Sequence, residues 1–414
     1  MKRWILLFAC GLLILNWPVS NSAQSMYSST GFGDLTLPST SRADGLGVNG
    51  VAMPDFQEIS LINPAYWHYL DFTGITTQIQ SSRVTNDAGG ANNRSAFDGF
   101  NFHLPIGEHV GIALGFAPLS FVNYHYARQD SIPSLENPAE NVGYSIDLTG
   151  SGGVGSNFIG FGWRISEKIS IGTAYSLLVG QIDTRRTLEM QDPSYSSRYV
   201  NGSTNVYGGN IVLGAAYRSL ITKSDNLGFR IELPLSLMLR KESEYYNGVN
   251  TPEVTTDEIE DILWPLEMSF GYQARLTGRW LGVAEVNYWH PTADLNAITS
   301  SNFSMNNDGL EIGGGIEYAS DYEAEDWWQT LAFRSGIRWR QYLTSGGNGN
   351  QSIGLTWVGG IGVPFGESAN RMDLSVSFAR RNGYADTDPI ETSVGFSLGI
   401  TVSEPWFRGG IRNR

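Results

Sequence analysis

In the segment 227–240, Leu227, Phe229, Ile231, Leu233, Leu235, Leu237 and Leu239 alternate with Gly228, Arg230, Glu232, Ser236 and Arg240. Side chains of an extended strand point to opposite faces with period two, so this pattern predicts one apolar face and one mixed face. Trp264–Tyr272, Leu331–Trp339, Leu310–Ile316 and Phe100–Ile106 repeat it. Strands are expected near 72–83, 96–106, 109–124, 143–165, 168–188, 204–218, 226–241, 262–275, 279–290, 308–318, 328–342, 352–363, 370–381 and 391–402. Their joints alternate in length. Short ones lie at Gly107-Glu108, Ser166–Lys168, Thr277-Gly278 and Pro364–Gly366, and long ones near 84–95, 125–142, 189–203, 242–261, 291–307 and 343–351, with 319–327 an exception on the short side. An even number of alternating strands, with short turns at one end and long loops at the other, is the signature of an outer-membrane barrel. The fold class expected is all-β, a transmembrane antiparallel β-barrel of about fourteen strands over 72–403, with its short turns in the periplasm.

A soluble β-sandwich alternates as well, with its apolar face inward. Three features favour lipid outside. The second face is mostly Gly, Ser and Ala with scattered charges, where a solvated face would be dense in Lys, Glu and Thr. Nearly every strand alternates. Aromatic residues gather near strand ends, namely Trp163, Trp264, Tyr272, Trp280, Tyr288, Trp289, Trp327, Trp328 and Tyr342, as interfacial girdles do.

The first residues change the picture from a sheet alone to an exported sheet with an insert. Lys2 and Arg3 precede an apolar run from Trp4 to Leu15, and small residues lead to a cleavage point after Ala23, so 1–23 reads as a secretory signal peptide. The single cysteine, Cys10, lies within it; the apolar run continues past Cys10, which disfavours a lipoprotein cleavage there. Removal of the signal leaves 25 basic against 41 acidic residues, a net charge of −16 that argues against nucleic acid as a partner. Residues 24–71 are rich in Ser, Thr and Gly without a strand period and are expected to form an N-terminal plug; Asn63 is placed to cap a short helix opened by Pro64. Residues 404–414 form a basic tail.

The chain has no Gly-x-Ser-x-Gly elbow, no His-Glu-x-x-His and no phosphate loop, so no enzyme, cofactor or metal is expected. His103 and His109 flank a tight turn and read as structural. Arg230, Glu232, Arg240, Glu267, Arg275, Arg334 and Arg338 occupy the mixed faces and are the candidate lumen charges, with pairing favoured over solute contact. Loop 242–261 is acidic but lacks calcium-loop spacing. Gly150-Ser-Gly-Gly153 marks a bend or bulge inside a long strand.

The stretch Arg42–Gly50, then Asp55, then Asn63-Pro64-Ala65-Tyr66 before the first strand resembles the FadL/OmpP1/TodX-type outer-membrane transporters of hydrophobic compounds and the related PorV/PorQ-like proteins. The end Val394–Val402 with Glu404-Pro-Trp-Phe407 is similar too. The resemblance implies a hatch inside a fourteen-stranded barrel, with Gly47, Gly50, Asp55, Asn63, Pro64 and Ala65 as its motif, although the family's adjacent glycine pair is separated here. It implies passive uptake of a small hydrophobic molecule of the long-chain fatty acid or hydrocarbon type, first held among loops 189–203 and 242–261. Met53, Phe56, Ile59 and Leu61 are candidate cargo contacts, with hatch core the favoured alternative. The second functional reading is a PorV-like interaction subunit of a surface secretion or attachment system, and the third a structural barrel. The expected partners are outer-membrane lipid and lipopolysaccharide, a small hydrophobic ligand, the barrel-assembly machinery and a surface protein; the expected location is the outer membrane of a Gram-negative bacterium.

Overall fold

A computed structural model describes residues 25–87, 91–134, 140–222, 224–248, 251–291, 303–321, 324–346, 348–366 and 370–404. The expected signal peptide and all but the first residue of the basic tail lie outside them. A short strand β1 (Asp34–Leu35) and one helical turn α1 (Ser41–Asp44) precede the wall. The wall is built from β2 (Thr73–Asn86), β3 (Ala91–Ile106), β4 (Val110–Pro118), β5 (Ser120–Pro133), β6 (Asn141–Arg164), β7 (Ile169–Met190), β8 (Arg198–Arg218) and β9 (Asn226–Tyr246). It continues through β10 (Glu253–Leu263), β11 (Leu266–Thr277), β12 (Trp280–His290), β13 (Phe303–Ser304), β14 (Gly309–Tyr318), β15 (Ala332–Gly346), β16 (Gln351–Phe365), β17 (Asn370–Arg381) and β18 (Glu391–Glu404).

Strands β4 and β5 are two halves of one staircase against β6, and β10 and β11 are two halves of another against β9. With β13 preceding β14 in the same way, the wall has fourteen antiparallel strands, and β18 pairs with β2 from Glu391↔Asn86 to Glu404↔Thr73 to close the ring. Closure by the β18–β2 seam removes the sheet's free edges there, which lipid demands because it offers no hydrogen-bond partner. The outward row Phe229, Phe270, Val286, Ile312 crosses four strands by direct register. All four are exposed, as lipid-facing residues are.

Three expectations change. Loops 189–203 and 242–261 are mostly strand: β7 runs to Met190, β8 starts at Arg198, β9 runs to Tyr246 and β10 starts at Glu253. They form hairpins projecting beyond the apolar band, and Thr255 to Glu258 are exposed on both faces. Leu237 and Leu239 do not share the outward face of Leu227. The β8–β9 register passes from Gly208↔Leu237 to Asn210↔Pro234, so β9 carries one extra residue there, and a bulge reverses every later side chain. Leu237 and Leu239 are therefore fully buried in the lumen, while Met238 and Arg240 face out. Trp264 and Trp289 are also fully buried rather than interfacial, whereas Trp163, Trp280, Trp327 and Trp328 are exposed at the short-turn end.

Candidate functional site

Residues 25–71 lie inside the ring, and what holds them there defines the site. From Gly45 to Trp67 the plug backbone runs against inward-facing glycines of the wall. A side chain on Gly228 would overlap the Val51 carbonyl, on Gly336 the Leu46 carbonyl, on Gly162 the Pro64 carbonyl and on Gly111 the Trp67 carbonyl. Gly313 makes the same close approach to the Gly47 carbonyl, while Gly271 lies looser against Ala52 and Gly399 against the Ser41 side chain. The small mixed face of the strands is thus a collar that admits backbone where other residues would admit only side-chain tips.

Hydrogen bonds and charges lock the insert in this collar. Gly47 and Gly50 have positive φ, 69° and 96°, conformations that suit glycine. They shape a turn whose N–H groups meet a carboxylate: Asn49 and Gly50 donate to Glu285 at 3.1 and 2.9 Å, and Val51 donates to it at 2.9 Å. Arg338 donates to the Val48 carbonyl at 2.8 Å. Asn63 caps the 3-10 turn Pro64–Tyr69: its Oδ1 accepts from the Ala65 N–H at 3.1 Å and its Nδ2 donates to the Val51 carbonyl at 2.8 Å. Ala65 has no exposed surface.

Below the turn is a continuous ion network between plug and wall. Arg42 reaches Asp55 at 2.6 Å and Glu317 at 3.0 Å. Arg371 reaches Asp55 at 2.9 Å, Glu58 at 2.8 Å and Asp373 at 2.6 Å. Arg334 joins Glu317 at 2.7 Å to Asp373 at 2.6 Å. Burial alone would raise the Asp55 carboxyl, but Arg371 and Arg42 outweigh it and hold the group below the usual aspartate range. A second buried cluster joins Arg230 to Glu232 and, at 3.0 Å, to Glu267, which also accepts from the indoles of Trp264 and Trp289 at 3.3 and 3.2 Å.

The expected lumen charges thus divide. Arg230, Glu232, Glu267, Arg334 and Arg338 point inward into these clusters. Arg275 sits at the short-turn rim and donates to the Gly278 carbonyl. Arg240 departs: it is exposed on the outer face beyond the β9 bulge, 3.9 Å from Glu258. Met53 packs with Ala43, Leu46, Val48 and Val283, and Ile59 with Trp67, Leu70 and Phe158, while Leu61 covers that second group. These three belong to the plug's own core. Phe56 instead borders a polar cavity of about 970 Å³ open toward the short turns, lined also by Arg42, Asp55, Arg164, Arg218 and Arg371. Glu285, Glu317, Arg371 and Asp373 matter as much as any residue anticipated. Their alternation put them on the inward face, but only the folded plug shows what they hold.

Among the described residues the ladder is interrupted beside β3. β3 pairs with β4 over Phe100–Ile106, and among the described residues Ala91–Gly99 forms no ladder with β5. The cause is local. Gly99 has φ of 122°, β3 carries an extra residue at Asp98, and Pro118 ends β4 without an N–H to donate. The start of the chain occupies the open edge of β5: Asp34 and Leu35 pair with Phe121 and Ser120, the Thr36 N–H donates to Leu119 at 2.8 Å, and Ser25 donates to Asn123 at 3.0 Å. Arg381 of β17 anchors this strap through Asp34 at 2.8 Å. Phe32, Leu35 and Leu37 extend inward to meet Leu237, Leu239, Trp264 and Trp289 in an apolar core.

Solved structures share this architecture. A CymD monoaromatic hydrocarbon channel has a TM-score of 0.60 at 13% identity, covering 89% of this chain and 98% of its own. A Pseudomonas aeruginosa FadL homologue has 0.59 at 12%, covering 91% and 100%. The Ralstonia pickettii toluene transporter TbuX has 0.56 at 13%, covering 89% and 98%. At such identities the likeness establishes the fold alone, a β-barrel architecture shared with these hydrophobic-compound channels. No curated protein matched the sequence. The family model BamG matches residues 1–410. Since that match spans nearly the whole sequence, the chain belongs to the BamG family.

Proposed function

We propose that the protein is an occluded barrel that acts as an interaction subunit within an outer-membrane assembly. The observation that carries this reading is the fit of the plug. An axial path would require the backbone of Gly45–Trp67 to leave its glycine collar and would separate Arg371 from Asp55 and Glu58. Parting a buried ion pair costs about 3–5 kcal/mol because the abandoned charge stays buried. The apolar core above the plug adds to the seal. The projecting hairpins β7–β8 and β9–β10 and the outer wall are the surfaces left for a partner. The family name, BamG, points toward the barrel-assembly machinery as the partner class, with a surface protein as the alternative. The test is to isolate the tagged chain from its native membrane in mild detergent, identify stoichiometric partners by mass spectrometry, and measure conductance in planar bilayers. Co-isolation of assembly-machinery subunits without conductance is expected. An isolated, conducting monomer would refute the reading.

The interruption between β3 and β5 favours a second reading, passive uptake of a small hydrophobic molecule through the side of the wall. The fold shared with hydrocarbon and fatty-acid channels supports the same idea. Here the strap on β5 would be the element to move. Uptake of labelled toluene or a long-chain fatty acid by cells with and without the protein separates the two readings; equal uptake would remove the second.

A further inference from the structure

The outer wall carries a groove of about 1080 Å³ across β2, β3, β16, β17 and β18. Its floor has small residues at both ends, Gly359 on one side and Ser81 and Ser95 on the other, with Val376 and Phe396 between, and the two serine hydroxyls hydrogen-bond at 3.0 Å. Ile79, Phe97, Trp357 and Phe378 border it and stand 42–54% exposed. Ser81 pairs with Phe396, Phe396 with Val376 and Val376 with Gly359, so the floor crosses the strands as one unbroken row.

Two cations stand above this groove on the same outward face. Arg83 shares the face of Ile79 on β2, and Arg380 shares that of Phe378 on β17; both are exposed. Val394 pairs with Arg83 on one side and Phe378 on the other, while Arg380 pairs with Thr392, which pairs with Thr85. The two arginine stems are therefore two strands and one row apart, about 12 Å at the usual sheet spacings. Each lies ten residues from the short-turn start of its strand, Thr73 or Asn370. At about 3.4 Å per residue and a tilt near 40°, that height is roughly 26 Å, the upper edge of a lipid-facing band about 25 Å tall. Arginine is costly at the bilayer midplane and nearly neutral at this boundary, where phosphate groups lie. A guanidinium grips phosphate through two parallel donors.

We propose that this face seats one phosphorylated, acylated glycolipid of the outer leaflet, with phosphate held by Arg83 and Arg380 and an acyl chain lying over Gly359, against the side-by-side pair Trp357 and Phe378. The site is independent of how the lumen is read. The serine pair offers hydroxyls to an ester or hydroxyacyl oxygen near the head of the chain.

The test is native mass spectrometry of the full chain, delipidated in detergent and titrated with purified lipid A. A single one-to-one adduct is expected. Arg83→Glu combined with Arg380→Glu should weaken it at least tenfold, and dephosphorylated lipid A should not bind. Gly359→Leu should weaken it comparably by filling the groove. A Cβ at Gly359 meets nothing nearer than the Arg334 carbonyl oxygen at 3.7 Å, so that variant keeps the wall intact. Arg240→Glu, on the outer face of β9, should leave the adduct unchanged. Undiminished binding by the double variant, a graded series of equivalent adducts, or equal binding of the dephosphorylated lipid would overturn the proposal.

Discussion

Two parts of the insert are held by different means. Arg42–Tyr69 rests its backbone on the wall and joins a buried charge network with β14, β15 and β17. Ser25–Leu37 lies on one open strand edge through two ladder residues, a few hydrogen bonds, one ion pair and apolar side chains. The first is part of the wall's own packing; the second is a strap laid into a slot. The contrast shows where a barrel of this fold can yield. Movement at the collar requires close backbone contacts with the wall to be broken and carboxylates to be stranded. Movement at the strap requires the two-residue ladder, the Asp34–Arg381 pair, the hydrogen bonds of Ser25 and Tyr27 and the apolar contacts of Phe32, Leu35 and Leu37 to be given up, and it would expose the edges of β3 and β5 rather than a hole along the axis.

The largest test of that contrast is Gly336→Leu. The new side chain would overlap the Leu46 carbonyl. Overpacking usually costs about 1–3 kcal/mol, but here the opposing atom is backbone, so we expect no folded, heat-modifiable band on electrophoresis. Arg371→Ala comes next. It leaves Asp55, Glu58 and Asp373 without their shared cation, and a loss of about 3–5 kcal/mol in unfolding free energy is expected from urea titration in detergent. Leu35→Ala in the strap should cost about 2–3 kcal/mol and increase protease cutting within 25–37 while the barrel band persists; cutting spread equally over the plug would erase the distinction. Acid should act on the collar's network through Asp55. Its folded pKa lies below the unfolded value, so its contribution is complete above about pH 4 and fades as pH falls through the folded value. Asp55→Asn should flatten the acid limb of the urea midpoint measured between neutral pH and pH 3. Arg240→Ala, on the outer face, should shift the midpoint by no more than about 0.5 kcal/mol.

Much of the wall can be read in the sequence because lipid on one side and a filled lumen on the other impose a strict two-residue alternation. Phe229, Phe270 and Ile312 declare their face, and the inward Gly228, Gly271 and Gly313 declare theirs. Alternation fails where one residue is inserted. The extra residue before Leu237 is marked locally only by Pro234, which suits a bulge but also an edge or a strand start, so the turn of Leu237 and Leu239 into the lumen is settled only by the register with β8. Trp264 and Trp289 escape the alternation for a related reason: an indole suits a membrane interface, but it also suits a buried carboxylate, and only the fold brings Glu267 to both rings. The plug motif could be located because Asn63-Pro64 is a local capping signal. The partners of Asp55 could not, since Arg371 lies 316 residues away and nothing near either residue encodes the pairing.

The collar also constrains how the molecule is made. Contact between the Gly45–Trp67 backbone and the wall leaves no clearance for sliding the insert into a finished cylinder. Yet the seam is formed by β2, the strand that follows the insert, and β18, the final strand. The sheet must therefore curl around residues already seated on it, so that the last hydrogen bonds between β18 and β2 fasten a vessel whose contents were loaded first.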